Sequence, residues 1–206
     1  MKKCIESYHM FFPDRIFSIL LYIVYPLIVW GILFIENIFV NNSYIILLTA
    51  PALVLFIECM ADLFVFAGYA KKDSGRNEYL KTSVRYMQML KRAFVSDIIR
   101  RILSILFIIF IVSSVLKAPF NISIFAAISV NFFITAALCI LRFFDFFTAY
   151  YFITSIILLL YVVFCIIVFI RNLFILASII MAVLSIFLIL FHTSILFKAI
   201  KEGYYD

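Results

Sequence analysis

The sequence predicts an all-α polytopic membrane protein. It has six transmembrane helices and a cytoplasmic amphipathic loop helix, in a single domain over residues 1–206. Three observations carry this reading. Hydrophobic residues make up 67% of the chain and the mean hydropathy is +1.22, more apolar surface than a soluble domain of this length can hide. Long apolar runs recur from Ile16 to Phe197, and a bilayer core takes about 20 such residues per helical crossing. Charge is concentrated in one stretch: residues 71–101 hold nine basic and three acidic side chains, a surplus equal to the net charge of +6 for the whole protein.

The apolar runs are continuous rather than alternating, which excludes lipid-facing barrel strands and leaves helices. Met1 to Phe12 carries an apolar stripe at Ile5, Tyr8 and Phe12, ended by Pro13-Asp14. It reads either as a short interfacial helix or as a frayed tail. It makes a poor signal peptide, because a full span follows with no small-residue cleavage site. The first span covers Ile16 to Val40, with Pro26 as a kink candidate and Glu36 near its far end; the second covers Tyr44 to Ala70 and contains Pro51. The third span covers Ile98 to Leu116, the fourth Ile122 to Leu141, the fifth Thr148 to Ile170 and the sixth Leu173 to Phe197. The connecting turns are Asn41-Asn42-Ser43, Lys117 to Asn121, Arg142 to Asp145 and Arg171-Asn172.

Six spans place both termini on one side. Fifteen basic residues, including all nine of the 71–101 stretch and Arg142, lie on that side; Lys117 and Arg171 lie on the other. The positive-inside rule therefore predicts a cell-membrane protein with both termini and the basic loop in the cytoplasm. The heavy use of Phe, Ile, Lys and Asn suits an AT-rich bacterial genome.

Within the loop, Leu80, Val84, Met87, Leu90, Phe94 and Ile98 recur at helical spacing, with Lys81, Arg85 and Arg92 on a neighbouring face. The pattern predicts an amphipathic helix along the inner leaflet that turns into the third span, with Thr82-Ser83 as a possible break. Arg100 and Arg101 then either snorkel to the headgroups or reach the acids of the second span, Glu58 and Asp62, from the inner edge of the bilayer. Such a helix either orients the chain and holds anionic lipid, or docks a soluble partner; both readings stay open here.

The stretch Glu78-Tyr79-Leu80-Lys81-Thr82-Ser83, with Leu90 and Lys91 following, resembles the loop after the second helix in ABC-2-type transporter permeases. In that family an E-x-L-x-x-S-P-like run forms a coupling helix against the ATPase subunit, and the six-helix topology is also similar. The resemblance implies a transport-complex subunit, an exporter working as a dimer with separate ATPase chains, and docking residues at Glu78, Leu80, Lys81, Val84, Arg85, Met87 and Arg92. The chain departs from the pattern where Val84 stands in place of the proline, and Arg171-Asn172 leaves no room for a re-entrant segment. The alternative is a non-transporting accessory, immunity or scaffold protein that binds lipid or another membrane protein.

Polar groups inside spans point to a site, because a charge at mid-bilayer costs at least ~2.5 kcal/mol. Glu58 and Asp62, four residues apart, share a helix face. An Asp62–His192 contact is expected, with Glu58 facing a polar pathway; the competing reading is that both acids only hold the bundle together. Ser123, Ala127, Asn131, Thr135 and Cys139 form a small and polar ridge, and Ser178, Ala182 and Ser185 lead to His192. Both are packing faces, a pathway or a dimer interface.

The four glycines are too scattered for a phosphate-cradling loop, so any ATP hydrolysis belongs to another chain. The four cysteines contain no CxxC pair, and neither a metal nor a nucleophile motif occurs. The chain is expected to be no enzyme, to hold no cofactor or metal and to bind no nucleic acid.

Overall fold

The computed structural model describes residues 2–11, 15–40, 43–66, 85–144 and 146–205. Every regular element among them is helical. The N-terminal segment forms α1 (Lys2–His9), which turns Tyr8 and Phe11 inward and leaves Ile5 exposed. The first apolar run is α2 (Arg15–Ile19), a π-helical segment (Leu20–Val24) and α3 (Tyr25–Val40) in continuous succession. Pro26 explains the wide turn: it has no N–H, so the helical ladder loses a donor there. The Tyr25 N–H reaches back to the Leu20 carbonyl, five residues away.

The second run is α4 (Ser43–Val65), which contains Pro51. Glu36 and α4 are linked at the far end, where the Thr49 hydroxyl donates to Glu36 Oε2 at 2.6 Å. Then come α5 (Tyr86–Leu116), α6 (Phe120–Leu141), α7 (Phe147–Arg171) and α8 (Phe174–Tyr205). The turns between them are as short as the sequence predicts. Lys117 (φ 51°) and Asn172 (φ 53°) end α5 and α7 in the left-handed region, a conformation common at helix C-termini and tolerated by asparagine.

Four stretches among the described residues are long and apolar enough to cross a membrane: Ile16–Glu36, Phe120–Leu141, Phe147–Arg171 and Phe174–Ile195. They match the expected first, fourth, fifth and sixth spans. The expected second and third fall on α4 and α5, which carry the buried ionisable residues Glu58, Asp62, Asp97 and Arg101.

The basic stretch differs from expectation. No turn separates an interfacial helix from the third span, because α5 runs unbroken for 31 residues. Tyr86 to Leu116 contains neither glycine nor proline, and a change from charged to apolar composition does not break a helix. The described part of the predicted stripe does face inward. Leu90 and Phe94 are buried with Tyr8, Phe11, Val65, Phe66 and Tyr86, so this end of α5 packs on α1 and the end of α4. Leu80, Val84 and the Thr82-Ser83 break lie outside the described residues.

The central element is α6, which packs against α4, α5, α7 and α8. Its predicted small-residue ridge is a packing face: Ser123, Ala127 and Thr135 are buried, and Asn131 and Cys139 are half-buried. The α8 seam is buried at Ser178, Ser185 and His192. Lipid tails are as apolar as leucine, so close approach through such residues, rather than water exclusion, holds helices together in a bilayer.

Candidate functional site

The polar centre of the bundle is built from four helices and one turn. Glu58 and Asp62 come from one face of α4. Asp97, Arg100 and Arg101 come from one side of α5, at spacings of three and four residues. Arg142 caps the C-terminus of α6, where the helix dipole favours a cation. Tyr8 reaches in from α1 and Tyr150 from α7.

Two forks organise it. Arg100 grips Glu58 with Nη1 to Oε1 at 3.0 Å and Nη2 to Oε2 at 2.6 Å. Arg142 grips Asp62, with Nη2 to Oδ1 at 2.7 Å and Nε to Oδ1 and Oδ2 at 3.1 and 3.3 Å. Asp97 joins the forks: its Oδ2 accepts from Arg142 Nη2 at 2.8 Å and its Oδ1 from Arg100 Nη2 at 3.3 Å. The Tyr8 hydroxyl donates to Asp97 Oδ1 at 3.0 Å and accepts from Arg100 Nε at 3.1 Å. The Tyr150 hydroxyl donates to Asp62 Oδ2 at 3.3 Å. Beside the forks, the Arg142 guanidinium lies 4.7 Å from the ring centres of both Phe66 and Phe94, close enough for cation–π attraction.

Three carboxylates meet three guanidiniums, counting Arg101, so the cluster is formally neutral. That balance makes deep burial tolerable: Glu58, Asp62, Asp97, Arg101 and Arg142 are each at most 6% exposed. Bidentate geometry satisfies the acids more fully than point charges would. Arg101 is held differently. Among the described residues it makes no ion pair, donating Nη2 to Thr135 Oγ1 at 3.3 Å, with its Nε unpartnered.

The residues singled out by sequence divide as follows. Glu58 and Asp62 do share a buried face, but each is closed off by an arginine, so Glu58 does not front a polar pathway. The expected Asp62–His192 contact does not form, because Arg142 and Tyr150 take both Asp62 oxygens. His192 is buried beside a small cavity with Arg101, Thr135 and Arg142, and among the described residues its Nε2 has no hydrogen-bond partner. The Asn131 carbonyl on the backbone accepts from Thr135 Oγ1 at 2.8 Å, while its side-chain Oδ1 is unpartnered. Of the predicted docking residues, Arg85 and Arg92 are exposed and Met87 is half-buried. Glu78, Leu80, Lys81 and Val84 lie outside the described residues.

Arg142 corrects the sequence reading, which puts it in a connecting turn; of the two readings of Arg100 and Arg101, headgroup anchors or partners of the buried acids, Arg100 takes the second, on Glu58. All three line the polar centre. The signal was available: buried acids need cations at similar depth, and these are the arginines nearest the span ends. Asp97 and Tyr8 carried less signal, since a tyrosine in an apolar stripe reads as packing.

Tyr8 is the only described link from α1 to this network by side-chain hydrogen bonds to charged groups. Tyr8→Phe is expected to destabilise the protein by about 1–3 kcal/mol, the range for leaving buried charged partners short of a bond. Thermal unfolding in detergent checks the magnitude, and limited proteolysis near residue 12 should show α1 released first.

Among the described residues, no group of three or more His, Cys, Asp or Glu side chains is placed to hold a metal ion. The ion pairs of Arg100 with Glu58 and Asp97, and of Arg142 with Asp62 and Asp97, tie α4, α5 and the end of α6 together. Fold and site define an all-helical protein of multi-pass membrane character, its bundle fastened by a buried ion-pair network. Comparison with known protein families, curated proteins and solved structures finds no match.

Proposed function

We propose that the chain is the integral-membrane subunit of a transport complex, with six spans, cytoplasmic termini and a separate ATPase docked on its basic loop. The observation that supports this reading is the continuity of α5. Its exposed basic end, at Arg85 and Arg92, belongs to the same unbroken helix as Asp97 and Arg100. Arg92 and Asp97 are five residues apart, about 7.5 Å along the axis. A partner that moves the basic end moves the ion network with it, the mechanical connection that a driven membrane subunit needs. The second reading, an accessory, immunity or scaffold protein, is favoured by the closure of Glu58 and Asp62. With both acids sealed by arginines, the bundle acts as a fixed frame.

Recovery of the tagged protein in mild detergent, with mass spectrometry of what accompanies it, separates the two. The expected result is a stoichiometric ATPase chain, lost when Leu80 and Val84 are both changed to Glu while membrane insertion is retained. Recovery of another membrane protein and no ATPase would overturn the transport reading in favour of the accessory one.

A further inference from the structure

A groove of about 1080 Å³ lies between α1, the π segment and α5. It is unrelated to the sealed acids of α4 except at one end, where Arg100 and Tyr8 reach its wall. Three features of the groove point to one kind of occupant.

The first is its length. Along α5 the apolar wall runs from Ile99 through Leu103 and Phe107 to Phe110. The eleven steps of α helix from Ile99 to Phe110 rise about 16 Å, and one leaflet of a ~30 Å hydrocarbon core is about 15 Å deep. The wall is therefore as long as one leaflet's acyl chain. The second feature is its opening. Leu103 and Phe107 are both 58% exposed, and Phe110 is 72% exposed, so the groove opens sideways, and on a membrane-embedded helix that means toward lipid. Leu21 and Tyr22 of the π segment and Pro26 line it on the other side.

The third feature is charge. Continuing the same face of α5 toward its N-terminus gives Ser96, Arg92 and Arg85, at helical spacing. Ser96 and Arg100 line the polar end of the groove, and Arg92 and Arg85 stand exposed one and three turns beyond Ser96. The face thus runs from cationic through polar to apolar, in the order of a phospholipid standing in its leaflet, with Ser96 and Arg100 nearest the groove and Arg92 one turn beyond. A site that took any hydrocarbon would not need the cationic end.

We infer that this groove is a binding site for one anionic membrane lipid, its chain lying along Ile99 to Phe110 and its phosphate headgroup at the Arg92 end. The inference holds for either functional reading, since it concerns the chain alone.

The test uses the purified full chain, without partner, in nanodiscs containing equal phosphatidylglycerol and phosphatidylcholine. After transfer to mild detergent, native mass spectrometry counts retained lipid. One phosphatidylglycerol per chain is expected, preferred over phosphatidylcholine. Ile99→Trp with Leu103→Trp fills the groove from two exposed positions and should abolish retention while leaving helicity unchanged. Arg85 and Arg92 are exposed, and Arg85→Gln with Arg92→Gln should lower the headgroup preference by roughly fivefold, most of it from Arg92. Equal retention of both lipids by the unaltered chain would overturn the proposal. So would undiminished phosphatidylglycerol in the folded tryptophan variant, or an unchanged preference in the arginine double variant.

Discussion

Replacing Arg142 with methionine should lower the stability of the bundle by about 3–5 kcal/mol, the cost of leaving a buried charge without its partner. Asp62 loses three bonds in that variant and Asp97 loses one. Methionine preserves much of the volume beside Phe66 and Phe94, so the loss is electrostatic rather than a cavity effect. The informative companion is Asp62→Leu with Arg142→Met. Removing both members of a buried pair is often nearly neutral, because two desolvation penalties disappear with the attraction. The double variant should therefore be more stable than Arg142→Met alone, with a coupling of several kcal/mol in a double-mutant cycle. Reversible unfolding in detergent measures it. A coupling near zero would mean that Asp62 and Arg142 do not depend on each other.

Asp97→Ala is expected to produce an effect of similar size, about 3–5 kcal/mol, by a different route. Asp97 is the one carboxylate shared by both arginine forks and also holds Tyr8. Its loss leaves Arg100 on Glu58 and Arg142 on Asp62, two neutral pairs that no longer communicate. Stability should fall, and α1 should loosen at the same time because Tyr8 loses its acceptor. Hydrogen exchange over residues 2–11 gives the second readout. If exchange there stayed unchanged while global stability dropped, α1 would not be anchored through Asp97. The two substitutions together distinguish a network from a collection of separate pairs.

Much of this arrangement was legible in the sequence, and the failures have specific causes. The apolar runs, the tight turns at Lys117 and Asn172, and the common face of Glu58 and Asp62 follow from local periodicity, which a linear chain displays directly. The inward stripe at Leu90 and Phe94 does too. Arg142 was misread because a count of basic residues at span ends treats each as solvated, whereas a residue just past a helix end can fold back into the bundle. Asp62 and His192 were matched by depth alone. Depth follows from sequence position, but the direction a side chain faces around the bundle depends on how helices are arranged, and α6 rather than α8 supplies the partner. Tyr8 meets Asp97 across 89 residues of chain, a separation that no local pattern encodes. The continuity of α5 could have been read from the absence of a helix breaker.

The long sequence separations within the ion network also set a problem of order during synthesis. In the proposed six-span topology, Glu58 and Asp62 precede Arg100 by 42 and 38 residues of chain, and Arg142 follows Asp62 by 80 residues. At least ~2.5 kcal/mol per acid opposes leaving either one in hydrocarbon alone. If that topology holds, the second span is a poor tenant of the bilayer until the fourth has arrived. Arg142 is the last of the charged groups of the network in chain order, and the ion pair of Asp62 waits on it.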